Sequence, residues 1–211
     1  MAGLTGVAEE TVERISMYRV LLAGLLQAGI KSVFSHQLST SAGVSAAQVR
    51  RDIMILGYSG SPQHGYAVAE LIESIDSFLD APDGQNVVLV GVGNLGRAVA
   101  NYFFGRRPKL RLVALFDVDP EKHGRVICGV RCHSQDKVTE VIRSENVSIA
   151  IVGVPAAAAQ AVADACVAGG AKGILNFAPV ALCVPPGVYV ENLDMARSLE
   201  KVAYFARKAG G

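Results

Sequence analysis

The 211-residue sequence has no run of about 18 uninterrupted apolar residues, the length a membrane-crossing helix requires. Its first residues, MAGLTGVAEETVER, lack the basic and apolar regions of a secretory signal, so a cytoplasmic location is expected. An excess of charge is lacking too. Twenty Lys and Arg against 19 Asp and Glu leave a formal net charge of +1, so any binding to nucleic acid has to rest on local geometry. Cysteines are few and without the paired spacing of a metal site. Cys128, Cys132, Cys166 and Cys183 stand among apolar neighbours and read as small buried side chains. Cys128-x3-Cys132 would be a redox pair or half of a metal site, but no second ligand pair accompanies it, and no metal is expected.

What the sequence does have is apolar residues, 51% of the total, with 18% charged residues and no sign of disorder, enough for two small domains with separate cores. In the first, Val12, Ile15, Tyr18, Val20, Leu22, Leu25 and Leu26 flank Arg19 on a helix from about Glu9 to Gln27, ended by Gly29. A short helix is expected after Ser35 as cap, stopping at Gly43. Ser45 then caps a third helix over 46–56, with Val49, Ile53 and Leu56 on one face. Helix, short helix, glycine turn and helix outline a helix-turn-helix, in which the last helix fits a DNA major groove. The glycines and proline of GYSGSPQHGYAV mark a tight β-ribbon, the wing of a winged-helix domain, and AELIESIDSFLD returns as a helix. The first domain is thus expected over residues 1–80, with a linker at 81–85.

From residue 86 the pattern alternates. Strands are expected at 86–91, 110–117, 148–154 and 172–175, with helices near 94–104, 135–145 and 156–168. The fold class is α/β: a winged helix-turn-helix followed, over 86–192, by a Rossmann-like doubly wound parallel sheet. Residues 193–211 form an amphipathic helix whose apolar side, Leu199, Val202, Ala203, Phe205 and Ala206, is too extensive to have nothing to dock on.

NVVLVGVGNLGRAVA carries the chemistry. In Gly91-Val92-Gly93-Asn94-Leu95-Gly96 the first glycine permits a tight turn, the second lets backbone approach a pyrophosphate, and the third lets helix pack close to strand. The helix start supplies N–H groups and the positive end of its dipole. The second strand ends in Asp117, 21 residues after Gly96, where a carboxylate can accept hydrogen bonds from ribose hydroxyls. Asp117, followed by Asp119 rather than an arginine, favours NAD(H) over a 2′-phosphorylated dinucleotide. Arg97 reaches a phosphate or only solvent. Val154-Pro155 ends a strand in a loop that faces the nicotinamide side. A dehydrogenase would also need a proton donor or acceptor beside the substrate. His36 and His64 belong to the helix-turn-helix and its wing, His123 to a polar loop and His133 to a short strand. No second catalytic domain is seen, so no catalytic residue is expected and the nucleotide acts as a signal.

AAQVRRDIMILG, the Gly65-Tyr66 pair, GVGNLG, FDVDPEKHG, VPAAAAQAVAD, GILNFAPV and VPPGVYVENLD together resemble the Rex redox-sensing transcriptional repressors, in order and over nearly the whole chain. The resemblance implies a homodimer that binds a palindromic operator when NADH is low and lets go when NADH binds, with NADH and NAD⁺ as its cofactors. Gln48, Arg50 and Arg51 match the family's recognition-helix positions, and DNA contacts are expected from them and from Ser45, from Gln63 and His64 as weak substitutes for a wing cation, and from Tyr66, whose other reading is packing alone. The resemblance implies a cofactor site of Gly91, Gly93, Asn94, Leu95, Gly96, Asp117, Val154, Pro155, Asn176, Phe177 and Ala178. Arg19, Tyr102 and Asp194 fall where the family has an arginine, a tyrosine and an aspartate coupling its two domains, and the terminal helix corresponds to a swapped helix docking on the partner subunit.

One departure stands out. The family wing carries an Arg-Gly pair before Gly-Tyr, whereas this one reads Ser61-Pro62-Gln63-His64-Gly65-Tyr66 and loses the cation suited to a narrow minor groove. Residues 1–80 hold five Lys or Arg against eight Asp or Glu, so phosphate affinity has to come from the face around Lys31, Arg50 and Arg51. The competing readings are an NAD-dependent oxidoreductase whose N-terminal helices serve dimerisation, a regulator sensing CoA or another nucleotide, and a DNA-binding paralogue indifferent to NAD.

Overall fold

The chain divides into two units, Met1–Pro82 and Asp83–Gly211, and the computed structural model describes residues 6–103 and 106–209. In the first unit α1 (Glu9–Gln27) buries Thr11, Ile15, Tyr18 and Leu22, a stripe three and four residues apart, as the helical repeat demands. Val12, Val20 and Leu26, expected on that face, are exposed instead, because the stripe rotates with the helix and leaves them on its flanks. Then follow β1 (Ser32–Val33), α2 (Ser35–Ala42), α3 (Ala46–Ile55), β2 (Tyr66–Ala67) and α4 (Val68–Leu79). Tyr18, Leu22, Leu38, Val49, Ile53, Leu71 and Ile75 make the core these helices share.

Ser35 is not the cap of α2. Phe34 holds that position, and its backbone N–H donates to Gln37 Oε1 at 2.8 Å, so Ser35 is the first helical residue and its hydroxyl is left for other work. At the far end Gly43 takes φ +67°, a left-handed conformation that closes the helix and starts the turn into α3. The ribbon after α3 is shorter than the sequence suggests. β1 and β2 pair antiparallel over two residues each, and the tip is one isolated bridge between Ser61 and Gly65. Pro62 has no N–H to extend a ladder there, and Ser61 Oγ accepts the His64 N–H at 3.0 Å to close the turn.

In the second unit seven strands lie in the order β5-β6-β4-β3-β7-β8-β9. Their spans are β3 (Gln85–Val90), β4 (Leu110–Asp117), β5 (Val126–Ile127), β6 (Val130–Ser134), β7 (Val147–Val152), β8 (Gly173–Asn176) and β9 (Tyr189–Asn192). Every neighbouring pair is parallel except β5 with β6, a hairpin at the edge. The parallel sheet expected from the sequence therefore ends in one antiparallel strand. Central strands read as continuous apolar runs because both faces are covered. α5 (Asn94–Phe103) lies on the side of Val87, Leu89, Val99 and Leu115; α6 (Val138–Ser144) and α7 (Ala156–Gly169) contribute Ile142 and Val162 to the side of Val88 and Val90. β3 is flanked by β4 on one side and β7 on the other, so the chain reverses its direction of travel across the sheet at β3. A crevice opens at the carboxyl end of such a strand.

α8 (Met195–Ala209) ends the described chain. Its apolar residues Leu199, Val202 and Phe205 are 68%, 61% and 61% exposed. Among the cysteines, Cys132 and Cys166 are buried as expected, Cys128 is half-buried, and Cys183 is exposed beside the half-buried Gln160, whose Oε1 accepts its N–H at 2.9 Å. No helix among the described residues is long and apolar enough to cross a membrane.

Candidate functional sites

In the first unit, Ser45 Oγ accepts the Gln48 N–H at 3.1 Å and fixes where α3 begins. Val49 and Ile53 are buried and set the rotation of the helix, leaving Arg50 and Arg51 exposed and Gln48 half-buried. The arginines are not loose. Arg50 Nη1 donates to Ser35 Oγ at 3.1 Å, and Arg51 Nη2 donates to Gln48 Oε1. Arg50 lies with Ser35, Ser61 and Tyr66 around a cleft between α3 and the ribbon, so the structure brings the helix and the ribbon together on one face. Gln63 and His64 are exposed at the ribbon tip, while Tyr66 is half-buried and burial raises its hydroxyl pKa.

Beneath this face lies a group the sequence reading did not single out. Asp52, on α3 and 1% exposed, takes four hydrogen bonds: from Arg14 Nε at 2.7 Å, Arg14 Nη2 at 2.9 Å, Tyr18 OH at 2.9 Å and Gln48 Nε2 at 2.8 Å. Burial alone would raise its pKa, but the bonds from Arg14, Gln48 and Tyr18 outweigh burial and hold it below the ordinary carboxylate value. Burial and the same carboxylate raise the Tyr18 hydroxyl. Gln48 thus spans the buried acid and the exposed Arg51, its amide fixed at both ends.

In the second unit the glycine turn sits at the carboxyl end of β3, at the switch point. Gly91 takes φ +97°, and a Cβ there would strike the Gly153 carbonyl; one on Gly96 would strike the Gly91 carbonyl. Those two glycines are demanded by the protein itself. Gly93 is different, since a Cβ there would meet no protein atom within 4 Å. That open space at the start of α5 is what the close approach of a dinucleotide's pyrophosphate requires, so the residues fit that group. Asn94 is exposed, while Leu95 is half-buried and packs against the sheet.

Asp117 is more enclosed than a ribose-facing carboxylate needs to be, at 6% exposure. Its Oδ2 accepts the Val92 N–H at 2.8 Å and Lys122 Nζ at 2.9 Å, and its Oδ1 accepts the Asp119 N–H at 3.0 Å. Burial would raise its pKa; the Asp119 N–H, Lys122 and the Val92 N–H prevail and lower it, while the bond to Asp117 raises that of Lys122. On the other half of the crevice Val154 and Ala178 are buried, Phe177 is half-buried, and Pro155 caps α7. Asn176 is fully buried and satisfied by protein: Nδ2 donates to the Val180 carbonyl and to Asn192 Oδ1, both at 2.8 Å, and Oδ1 accepts the Ala178 N–H at 3.0 Å. It shapes the loop that carries Phe177 and Ala178. His123 Nε2 is 2.9 Å from the Asp117 carbonyl oxygen, and the His133 ring lies tilted against Phe116, centroids 5.8 Å apart.

Arg19 is tied within the first unit, Nη1 donating to Asp76 Oδ1 at 3.2 Å and Asp80 Oδ1 at 2.9 Å on α4 and its C-cap. Tyr102 is exposed on α5 with the Arg106 guanidinium 4.5 Å from its ring centroid. Asp194 precedes α8 and accepts the Arg197 N–H at 2.9 Å.

A winged helix joined to a doubly wound domain with a dinucleotide-type glycine turn defines a nucleotide-binding regulator rather than a catalyst. Two family models match, described as the CoA binding domain over residues 83–180 and the putative DNA-binding protein N-terminus over 6–53. A redox-sensing transcriptional repressor Rex from Streptomyces coelicolor is 37% identical over 206 residues, 98% of this chain and 80% of its own. RSP in complex with beta-NAD+ and operator DNA has a TM-score of 0.89 at 33% identity, covering 97% of this chain and 94% of its own. RSP in complex with beta-NADH gives 0.86 at 32%, covering 98% and 97%. The chain belongs to the Rex family of redox-sensing transcriptional repressors. That family comprises regulators, not enzymes.

Proposed function

We propose that this protein represses transcription by binding operator DNA as a homodimer through its winged-helix units, and that NADH in the second unit releases it. The observation that carries the reading is Gly93, whose missing side chain no protein contact explains, in a chain whose other unit presents a capped helix bearing Gln48, Arg50 and Arg51. RSP, a related repressor of this family, binds beta-NAD+ and operator DNA. A transcriptional repressor works where the DNA is, which for this chain is the cytoplasm.

On DNA, the fork of Arg50 or Arg51 suits guanine O6 and N7 or a phosphate, and the outward oxygen of Gln48 suits the amino group of adenine. In the crevice, the N–H groups at the start of α5 hold the pyrophosphate. Val154, Pro155, Phe177 and Ala178 offer an apolar wall that disfavours the cationic ring of NAD⁺ relative to the neutral ring of NADH. That difference is what a switch requires, because a ligand with equal affinity for two arrangements shifts neither.

The homodimer reading rests on α8. Burying Leu199, Val202 and Phe205 against a second subunit stabilises by roughly 1.5–3 kcal/mol each, and a helix exposing all three has that much to gain. Operator binding measured with NAD⁺ and with NADH tests the function. Tight binding with NAD⁺ and loss of binding with NADH is expected, and equal affinities refute it.

A further inference from the structure

In a dinucleotide-binding domain the carboxylate ending the second strand is the one that takes the ribose hydroxyls and repels a 2′-phosphate. Here that residue, Asp117, is committed elsewhere. Its side chain is 8% exposed, and Val92 N–H, Asp119 N–H and Lys122 Nζ already bond to its two oxygens, taking most of the roughly four acceptor sites they offer. Its bond to Val92 ties the glycine turn to β4, a structural duty that persists whatever nucleotide binds. Two residues on, Asp119 has a side chain 41% exposed. Its Oδ1 accepts the Glu121 N–H at 3.0 Å, and its Oδ2 faces Lys122 Nζ at 3.6 Å, too far for a strong bond.

We propose that Asp119, and not Asp117, is the residue that excludes a 2′-phosphate, and that Lys122 is a cation masked by the two carboxylates. Asp117, Asp119 and Lys122 together carry a charge of −1. Neutralising Asp119 brings the cluster to zero, because Lys122 and Asp117 then balance each other. It also leaves the Lys122 ammonium shared with one carboxylate instead of two, so the barrier against an added phosphate falls. The inference rests on the reading of this crevice as a dinucleotide site.

The test is direct binding of NADH and NADPH to the full-length protein by calorimetry. Asp119→Asn is the central variant, since asparagine retains the short-turn cap that Asp119 makes to the Glu121 N–H. It is expected to narrow the preference for NADH over NADPH by about tenfold to a hundredfold, the range of one charge–charge contact near a surface. Lys122→Ala in the Asp119→Asn background is expected to remove that gain. Asp117→Asn removes the same charge but also loosens the glycine turn, so it is expected to weaken both nucleotides and to change their ratio less than Asp119→Asn, whose carboxylate is the more exposed. A ratio unchanged by Asp119→Asn, or one shifted more by Asp117→Asn, overturns the assignment while leaving NADH binding standing. Failure of the unaltered protein to bind NADH at all overturns both the assignment and the proposed function.

Discussion

Replacing Arg14 by Met strands the Asp52 carboxylate. The arginine supplies two of its four hydrogen bonds, at 2.7 and 2.9 Å, and its positive charge, while Tyr18 and Gln48 supply neutral donors. The pair is enclosed, with the two side chains 21% and 1% exposed. Removing one member of a buried pair costs about 3–5 kcal/mol, because the remaining charge keeps its desolvation penalty without its partner. At about 1.4 kcal/mol per decade, protection of the α1 and α3 amides against hydrogen exchange is expected to fall by two to four orders of magnitude. Replacing the whole network with apolar groups, Arg14→Met with Tyr18→Phe and Asp52→Leu, removes the stranded charge and is expected to recover most of the loss. Hydrogen exchange read by mass spectrometry on full-length protein measures both. If the triple variant is no better protected than the single one, lost packing rather than an unpaired charge is the cause, and the reasoning fails. The pH dependence has a definite sign. Asp52 titrates lower in the folded protein than its unfolded value of about 3.9, so its contribution is complete above that pH and lost as the pH falls through the folded pKa.

Three further outcomes are expected. Gly93→Ala should fold and keep its melting temperature but lose NADH affinity, whereas Gly96→Ala, whose Cβ meets the Gly91 carbonyl, should lose both; equal melting losses would show that Gly93 is structural. Ser45→Ala removes the cap of α3 and should lower stability by about 1 kcal/mol in denaturant titration, with operator affinity falling too. An alkylating reagent at pH 8 should modify the exposed Cys183 and spare Cys166, whose thiol burial pushes up to about 12; mass spectrometry showing rapid labelling of Cys166 would contradict its enclosure.

The parts of this protein that could be read from sequence are those where one residue type answers a local steric demand. The glycine turn is one, since Gly91 and Gly96 are required by carbonyls a few ångströms away. The bounds of β4 are another, because an apolar run between polar turns has few alternatives. The cap of α2 lies one residue earlier than residue type suggests: Ser35 is the better cap by type, yet the backbone of Phe34 bonds to the Gln37 side chain instead. β9 carries little sequence signal because its residues are half-buried or exposed and it lies at the sheet edge just after Pro185 and Pro186. Asp52 is hidden in the sequence for another reason. One acid on an amphipathic helix reads as surface, and its partners Arg14 and Tyr18 lie 38 and 34 residues away, so nothing local announces them.

That buried acid bears on how the protein can change over generations. Gln48 faces outward with its oxygen and inward with its nitrogen, and the inward bond holds a quarter of the donors that keep Asp52 content. A lineage that swaps Gln48 to recognise a different operator letter must find another donor for Asp52 in the same step or accept a weaker fold. Arg50, whose bond among the described residues goes to the half-buried Ser35, carries no such obligation, so on the proposed reading new operator preferences should arise first through position 50 and reach position 48 last.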